Sequence, residues 1–160
     1  MIYDKKVENE KDFDNAISIR RKVFVEEQDI PIHLELDEFD ETSIHFIAYD
    51  ADIPFGAGRI REIDGKVGKI ERVCIVPSYR GKSMGNLIMQ SIEDYAQEHG
   101  FKKLKLNAQS NSLPFYEKGN YTNEWNGQSN SGKDLPTGTY FYQIQNRNGE
   151  KFTGYIQLTF

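Results

Sequence analysis

Apolar positions fall into short extended runs separated by turns and into two longer stretches with helical spacing. Ile2 to Val7 predicts a strand. From about Glu10 to Gln28, Phe13, Ala16, Ile17, Arg20, Val23 and Phe24 recur three and four residues apart, which predicts an amphipathic helix stopped by Pro31. The acidic stretch Glu35 to Glu41 then reads as a solvated loop. Ser43 to Tyr49 and Phe55 to Ile63 predict strands around the turn Asp50-Ala51-Asp52, and the hairpin dipeptide Asp64-Gly65 leads into another, Lys69 to Val76. After a loop from Pro77 to Lys82, the set Met84, Leu87, Ile88, Ile92, Tyr95 and Ala96 predicts a long helix from about Ser83 to His99, with Gly100 placed to cap it. Phe101 to Asn107 predicts a strand and Leu113 to Lys118 a short helix. Gly138 to Gln145 and Lys151 to Phe160 predict a hairpin around Asn148-Gly149. The order gives an α+β fold: a mixed, mostly antiparallel sheet flanked by helices and finished by a C-terminal β hairpin.

Composition divides the chain. Residues 120–160 hold three basic and three acidic residues, so the net charge of −5 belongs wholly to residues 1–119. The same tail carries ten Asn or Gln and eight aromatic residues, a β-rich composition. The expected organisation is therefore a body over 1–119 and a β-rich tail over 120–160 that completes the same sheet. A chain of 160 residues can bury one sizeable core without disulfides. The single Cys, the N-terminus without an apolar run and the absence of a span of about 20 apolar residues predict a cytoplasmic protein with no membrane contact. The acidic balance argues against a nucleic-acid binder. Three His without ligand spacing predict no metal.

The stretch Val73-Cys74-Ile75-Val76-Pro77-Ser78-Tyr79-Arg80-Gly81-Lys82-Ser83-Met84-Gly85 carries the chemistry. A strand ends, Pro and Gly turn the chain, and a helix begins, so free backbone N–H groups and a positive dipole end gather in one place. Gly81 and Gly85 allow close approach of a bulky anion, and Arg80 and Lys82 add charge. Physics alone reads this as a phosphate or pyrophosphate site, or else as an ordinary strand–turn–helix whose glycines serve packing. It is neither a Walker A loop nor a dinucleotide fingerprint, since the glycines those motifs require are missing.

The spacing Val76-Pro77-x-x-Arg80-Gly81-x-x-x-Gly85 resembles the acetyl-CoA loop of the GNAT superfamily of N-acetyltransferases. Arg21-x-Val23-Phe24-Val25-x-Glu27-Gln28, followed by Pro31, Asp37, Asp40 and His45, looks like its bacterial ElaA-like branch. Ala108-Gln109 and Phe115-Tyr116-Glu117-Lys118 fit the same branch, and the likeness covers residues 2–118. It implies acetyl-CoA as cofactor, with pyrophosphate on the amides of Gly81, Lys82, Ser83, Met84 and Gly85, beside Arg80. The pantetheine arm would pair with the strand Val73, Cys74, Ile75 and Val76, and Gln109 would contact it. Ser83 stands where many members have Gly, a change that contacts made by backbone should tolerate. Tyr116 takes the place of the general acid that protonates the departing thiolate; otherwise it is a core aromatic.

Glu71 is one candidate for the base, directly or through water, and a paired surface carboxylate otherwise. His45 is the other candidate, or a structural hydrogen-bonding residue. An oxyanion would meet a backbone N–H near Cys74 or Ile75. The Cys74 side chain reads as a small buried hydrophobe and not as an acyl carrier. The implied reaction is acetyl transfer by direct attack of a primary amine, on a small molecule or a protein, by a monomer or homodimer. Asp37, Glu38, Asp40 and Glu41 would attract such an amine if they are not simply solvated.

Past Lys118 the family ending is missing. Asn123-Glu124-Trp125-Asn126-Gly127, Gly132 through Tyr142 and Gly154-Tyr155-Ile156 resemble instead the end of the gliding-motility-associated C-terminal domain of Bacteroidetes surface proteins, over residues 116–160. The chain is thus chimeric in pattern. A catalytically idle acyl-CoA-binding or β-rich interaction protein is the alternative that the replaced ending allows.

Overall fold

The computed structural model describes residues 1–108 and 112–119. Gln109 and both predicted tail strands lie outside the described residues. The chain divides into two units, Met1–Leu106 and Asn107–Phe160. In the second, the described helix is α4, Leu113–Lys118, with Pro114 in its first turn.

The first unit is a five-stranded sheet in the order β1 (Ile2–Lys6), β2 (Ile44–Asp50), β3 (Ile53–Asp64), β4 (Val67–Ile75), β5 (Lys103–Leu106). The first four strands are antiparallel neighbours, and β5 joins β4 in parallel. The predicted mixed, mostly antiparallel sheet is therefore the observed one. The β3–β4 turn closes as Asp64-Gly65-Lys66-Val67, with φ of 46° at Gly65 and 69° at Lys66. Two left-handed residues are what a tight hairpin turn needs to match strand twist.

Helix α1, Glu10–Arg20, begins at Asn9, whose side chain accepts from the Asp12 N–H at 2.8 Å. The predicted helix to Gln28 continues, but its winding changes: Arg21–Glu27 is π-helical, and the Gln28 N–H reaches the Val23 carbonyl five residues back. Pro31 does more than stop this helix. It caps a further short helix, α2, Ile32–Glu35. The acidic stretch is the main correction. Glu35 and Asp40 are buried, at 3% and 8% exposure, and are not part of a solvated loop.

Helices cover both sheet faces. On one, Ala16, Ile19 and Val23 pack with Ile47, Tyr49, Ala57 and Cys74. The Tyr49 hydroxyl donates to Asp12 at 2.6 Å and accepts from Asn15, fixing α1 over the sheet. On the other face lies α3, Met84–Glu98, whose buried residues are Ile88, Met89, Ile92 and Ala96. Adjacent strand residues point oppositely, so Ala57 serves the first helix and Gly58 the second. A Cβ on Gly58 would stand 2.9 Å from Ile88 Cγ2 and 3.2 Å from Ile92 Cδ1. Gly58→Ala is therefore expected to cost about 1–3 kcal/mol by overpacking, read as a lowered urea midpoint; an unchanged midpoint would show that α3 yields without strain.

Candidate active site

The pairing of β4 changes halfway along. Its parallel bonds to β5 cover only Val67–Ile70, opposite Lys103–Leu106. On its other side Ala57 faces Cys74 while Arg59 faces Glu71, so Gly58 meets two residues, Arg72 and Val73. This is a β-bulge, which bends a strand and raises its twist. Arg72 adopts the left-handed conformation at φ 60°. From Glu71 to Val76 the strand has no partner on the β5 side among the described residues. Backbone hydrogen-bonding groups are thereby left for an extended ligand.

The chain then turns through Pro77–Tyr79 into α3. Gly81 has φ of 75° and Ser83 of 62°. A Cβ on Gly81 would meet nothing within 4 Å, so this glycine serves backbone conformation and not packing. Among the described residues the N–H groups of Gly81, Lys82 and Ser83 have no backbone acceptor. They adjoin the N-terminal turn of α3, whose own first N–H groups lack intrahelical partners. Loop and helix end together gather donor N–H groups of the kind that can hold an anion. Tyr79 braces the loop, stacking on Phe55 at 4.3 Å and donating to Asp50 at 2.9 Å. Arg80 faces away from an anion role in this arrangement: its two terminal nitrogens hold Glu27 at 2.6 and 2.7 Å, and its Nε donates to the Ile75 carbonyl at 2.7 Å. Lys82 Nζ donates to the Ser78 carbonyl at 3.2 Å.

Beside the open strand lies a cage of charges. Arg20 and Arg59 are fully buried. Arg20 donates to Glu35 at 2.7 Å and to Asp40 at 2.6 Å. Arg59 donates to Asp37 at 2.8 Å, Asp40 at 2.7 Å and Glu71 at 2.8 Å. Arg61 adds a second guanidinium to Glu71 at 2.9 Å, and Arg72 reaches Asp37 at 3.0 Å. Burial opposes the charge of Asp40, yet Arg20 and Arg59 hold its carboxyl at about 2. Burial likewise opposes Glu71, and Arg61, Arg59 and Lys69 still keep it below the usual carboxylate value.

A GNAT-family acetyltransferase model matches residues 12–121. The chain belongs to that family. An uncharacterized N-acetyltransferase of Bacillus subtilis, YjcF, is 42% identical over 113 residues, 71% of this chain and 80% of the relative. Escherichia coli ElaA superposes with a TM-score of 0.67 at 24% identity, over 74% of this chain and 85% of ElaA. An acetyltransferase of Clostridium acetobutylicum, solved with acetyl-CoA, superposes with a TM-score of 0.62 at 20% identity, over 81% and 96% of the two chains. A second model, a CHU_C type IX secretion signal domain, matches residues 111–158. The two matches overlap over 111–121, which contains Phe115-Tyr116-Glu117-Lys118, so the chimeric pattern stands. A secretion-signal likeness runs against the expected cytoplasmic location. Among the described residues no helix is long and apolar enough to cross a membrane.

Within this acetyltransferase the expected residues distribute as follows. Val73, Cys74, Ile75 and Val76 lie at the open edge, and Arg80 through Gly85 form the turn and the start of α3. The Cys74 thiol is pushed up to about 12, chiefly by burial. Glu71 and His45 come into one row across the sheet, His45 opposite Arg59 and Arg59 opposite Glu71. His45 is buried and bonds the Asp40 carbonyl through Nε2 at 2.8 Å. Burial holds its pKa below the ordinary value, with Arg20 and Arg59 acting in the same direction. Among the described residues its Nδ1 has no hydrogen-bond partner. Tyr116 sits on α4 of the second unit, its ring edge-on to Phe115. Four arginines of the site region went unread as such in the sequence: Arg20, Arg59, Arg61 and Arg72. The available signal was Arg20 itself, a charge on the apolar face of the first helix.

Two outcomes test this description. Asp40 is ionised at lower pH when folded than its ordinary 3.8 allows, so it stabilises the fold above about pH 4, and that contribution, about 2 kcal/mol, is lost as pH falls toward 2. Thermal unfolding across that window should show the loss, and Asp40→Asn should flatten it while costing about 3–5 kcal/mol at pH 7 by leaving two buried guanidiniums short of a charge. Ser83 is exposed, makes no capping bond and sits in a left-handed conformation. Relief of that strain, less the chain entropy of glycine, predicts that Ser83→Gly stabilises by about 0.5–1 kcal/mol in urea unfolding.

Proposed function

We propose that this acetyltransferase moves an acetyl group from acetyl-CoA to a primary amine, of a small molecule or a protein, by direct attack of the amine nitrogen. One juxtaposition carries the reading: a strand edge, Glu71 to Val76, without a partner among the described residues runs straight into a turn whose amides have no backbone acceptor among them. Acetyl-CoA, when bound, supplies an activated thioester. The edge of Val73, Cys74, Ile75 and Val76 pairs with its pantetheine arm, and the N–H groups of Gly81 to Gly85 take its pyrophosphate. A backbone N–H near Cys74 or Ile75 stabilises the charge that develops on the carbonyl oxygen.

Direct attack is supported by Cys74. A thiol held at about 12 carries almost no thiolate at neutral pH, so it cannot take the acetyl group first. Tyr116 protonates the departing thiolate, a task that a phenolic O–H can perform. Of the two candidate bases, Glu71 stands at the open edge and receives the amine proton through water. His45, buried and tied to Asp40, holds the cage in its neutral form.

Thermal unfolding with acetyl-CoA at about 100 times its Kd should gain about 2.7 kcal/mol; no shift would remove the reading. Thiol release over a panel of amines then identifies the acceptor. Tyr116→Phe should lower kcat about 10²–10⁴-fold while leaving the acetyl-CoA Kd unchanged. Because Glu71 is held below the usual carboxylate value, it stays ionised throughout neutral pH and gives no acid limb above about pH 5. A limb below the ordinary histidine value of 6.5 that vanishes in His45→Gln would transfer the role to His45.

A further inference from the structure

Arg72 has no part in the proposed chemistry, yet it occupies the one left-handed position on β4, next to the residues proposed to seat acetyl-CoA. An arginine in that conformation carries about 1–2 kcal/mol of strain that a glycine would avoid. Its side chain offsets the strain with a dense set of contacts. Nε donates to the Glu35 carbonyl at 3.1 Å and faces the Glu35 carboxylate at 3.1 Å. Nη2 donates to the Leu34 carbonyl at 3.2 Å and to Asp37 at 3.0 Å. The deeper cations Arg20 and Arg59 reach this loop from α1 and β3, elements away from the open edge. Arg72 reaches it from the unpaired part of β4 itself. On that loop Ile32 and Leu34 are exposed apolar residues, 39% and 59%, available to an incoming acceptor.

We propose that Arg72 is a positioning residue that locks the Leu34–Asp37 loop to the open edge of β4. Seating acetyl-CoA on the edge and ordering the loop are then linked. A ligand that straightens Val73 to Val76 restrains the residue immediately before them, and the planar guanidinium passes that restraint to two loop carbonyls and two carboxylates. The coupling is reciprocal, so an ordered loop also favours acetyl-CoA. The inference rests on the proposed seating of acetyl-CoA along Val73 to Val76.

Amide hydrogen exchange on the full chain, with and without acetyl-CoA, tests it in the wild type, Arg72→Gly, Arg72→Ala and Arg72→Lys. In the wild type, acetyl-CoA should slow exchange over Leu34 to Asp37 about fivefold or more. Arg72→Gly, which keeps the left-handed backbone without strain, and Arg72→Ala should still bind acetyl-CoA, up to about tenfold more weakly by calorimetry, but show no such slowing. Arg72→Lys should recover part of it. No slowing in the wild type overturns the inference, as does slowing retained in Arg72→Gly, which would assign the effect to backbone shape. If the wild type fails to bind acetyl-CoA, the proposed function falls and the lock is judged without ligand. Exchange over Leu34 to Asp37 about fivefold faster in Arg72→Gly then supports it, and equal rates overturn it.

Discussion

Two guanidiniums without solvent access, those of Arg20 and Arg59, set the terms for the first unit. A buried charge is costly unless every hydrogen-bonding position is met, and removing one partner costs far more than the pair gains over an apolar substitute. Arg20 and Arg59 meet this demand by drawing Glu35, Asp37, Asp40 and Glu71 inward. Those carboxylates come from α2, the loop after it and β4, while the arginines come from α1 and β3. One ionic cluster therefore ties α2 and the loop after it to α1, β3 and β4. Such a cage need not add much net stability. Its value lies in geometry, because misplaced alternatives would leave a charge unpaired.

That geometry has a direct bearing on the acetyltransferase site. Glu71 belongs to the cage and stands at the bulge where β4 leaves β5. The bulge opens the strand, and the opened strand leads into the turn of Gly81 and Ser83. An edge with free backbone groups is ordinarily a hazard for aggregation. Here the same unpaired groups are what an extended cofactor arm can use. The guanidiniums that meet Glu71 beside the bulge also keep it ionised, so charge and strand irregularity fall at the same place.

Much of this was legible in residue order. Asp64-Gly65 reported its hairpin because only left-handed residues fit that turn. Ile88, Ile92 and Ala96 reported the long helix because a buried stripe must repeat at helical spacing. Gly81 after Pro77 reported the turn into α3 because a glycine readily takes the left-handed conformation found there. The change to π-helical winding at Arg21 carried no such mark. The acidic stretch was misleading for a different reason. Asp37, Glu38, Asp40 and Glu41 look alike in sequence, yet Glu38 and Glu41 are exposed while Asp40 is buried.

By itself the sequence determined the order of β1 to β5 with α1, α3 and α4, the likeness of the loop after β4 to that of acetyltransferases and the compositional break near residue 119, because these depend on neighbours along the chain. Tertiary structure alone decided which carboxylates are buried and ionised, why Arg72 accepts a strained backbone, and that Arg80 faces Glu27. Each of these is a contact between residues far apart in sequence, from Arg20 with Asp40 to Arg80 with Glu27. The energy of a charge depends on its burial and its partners, and neither is a property of local residue order.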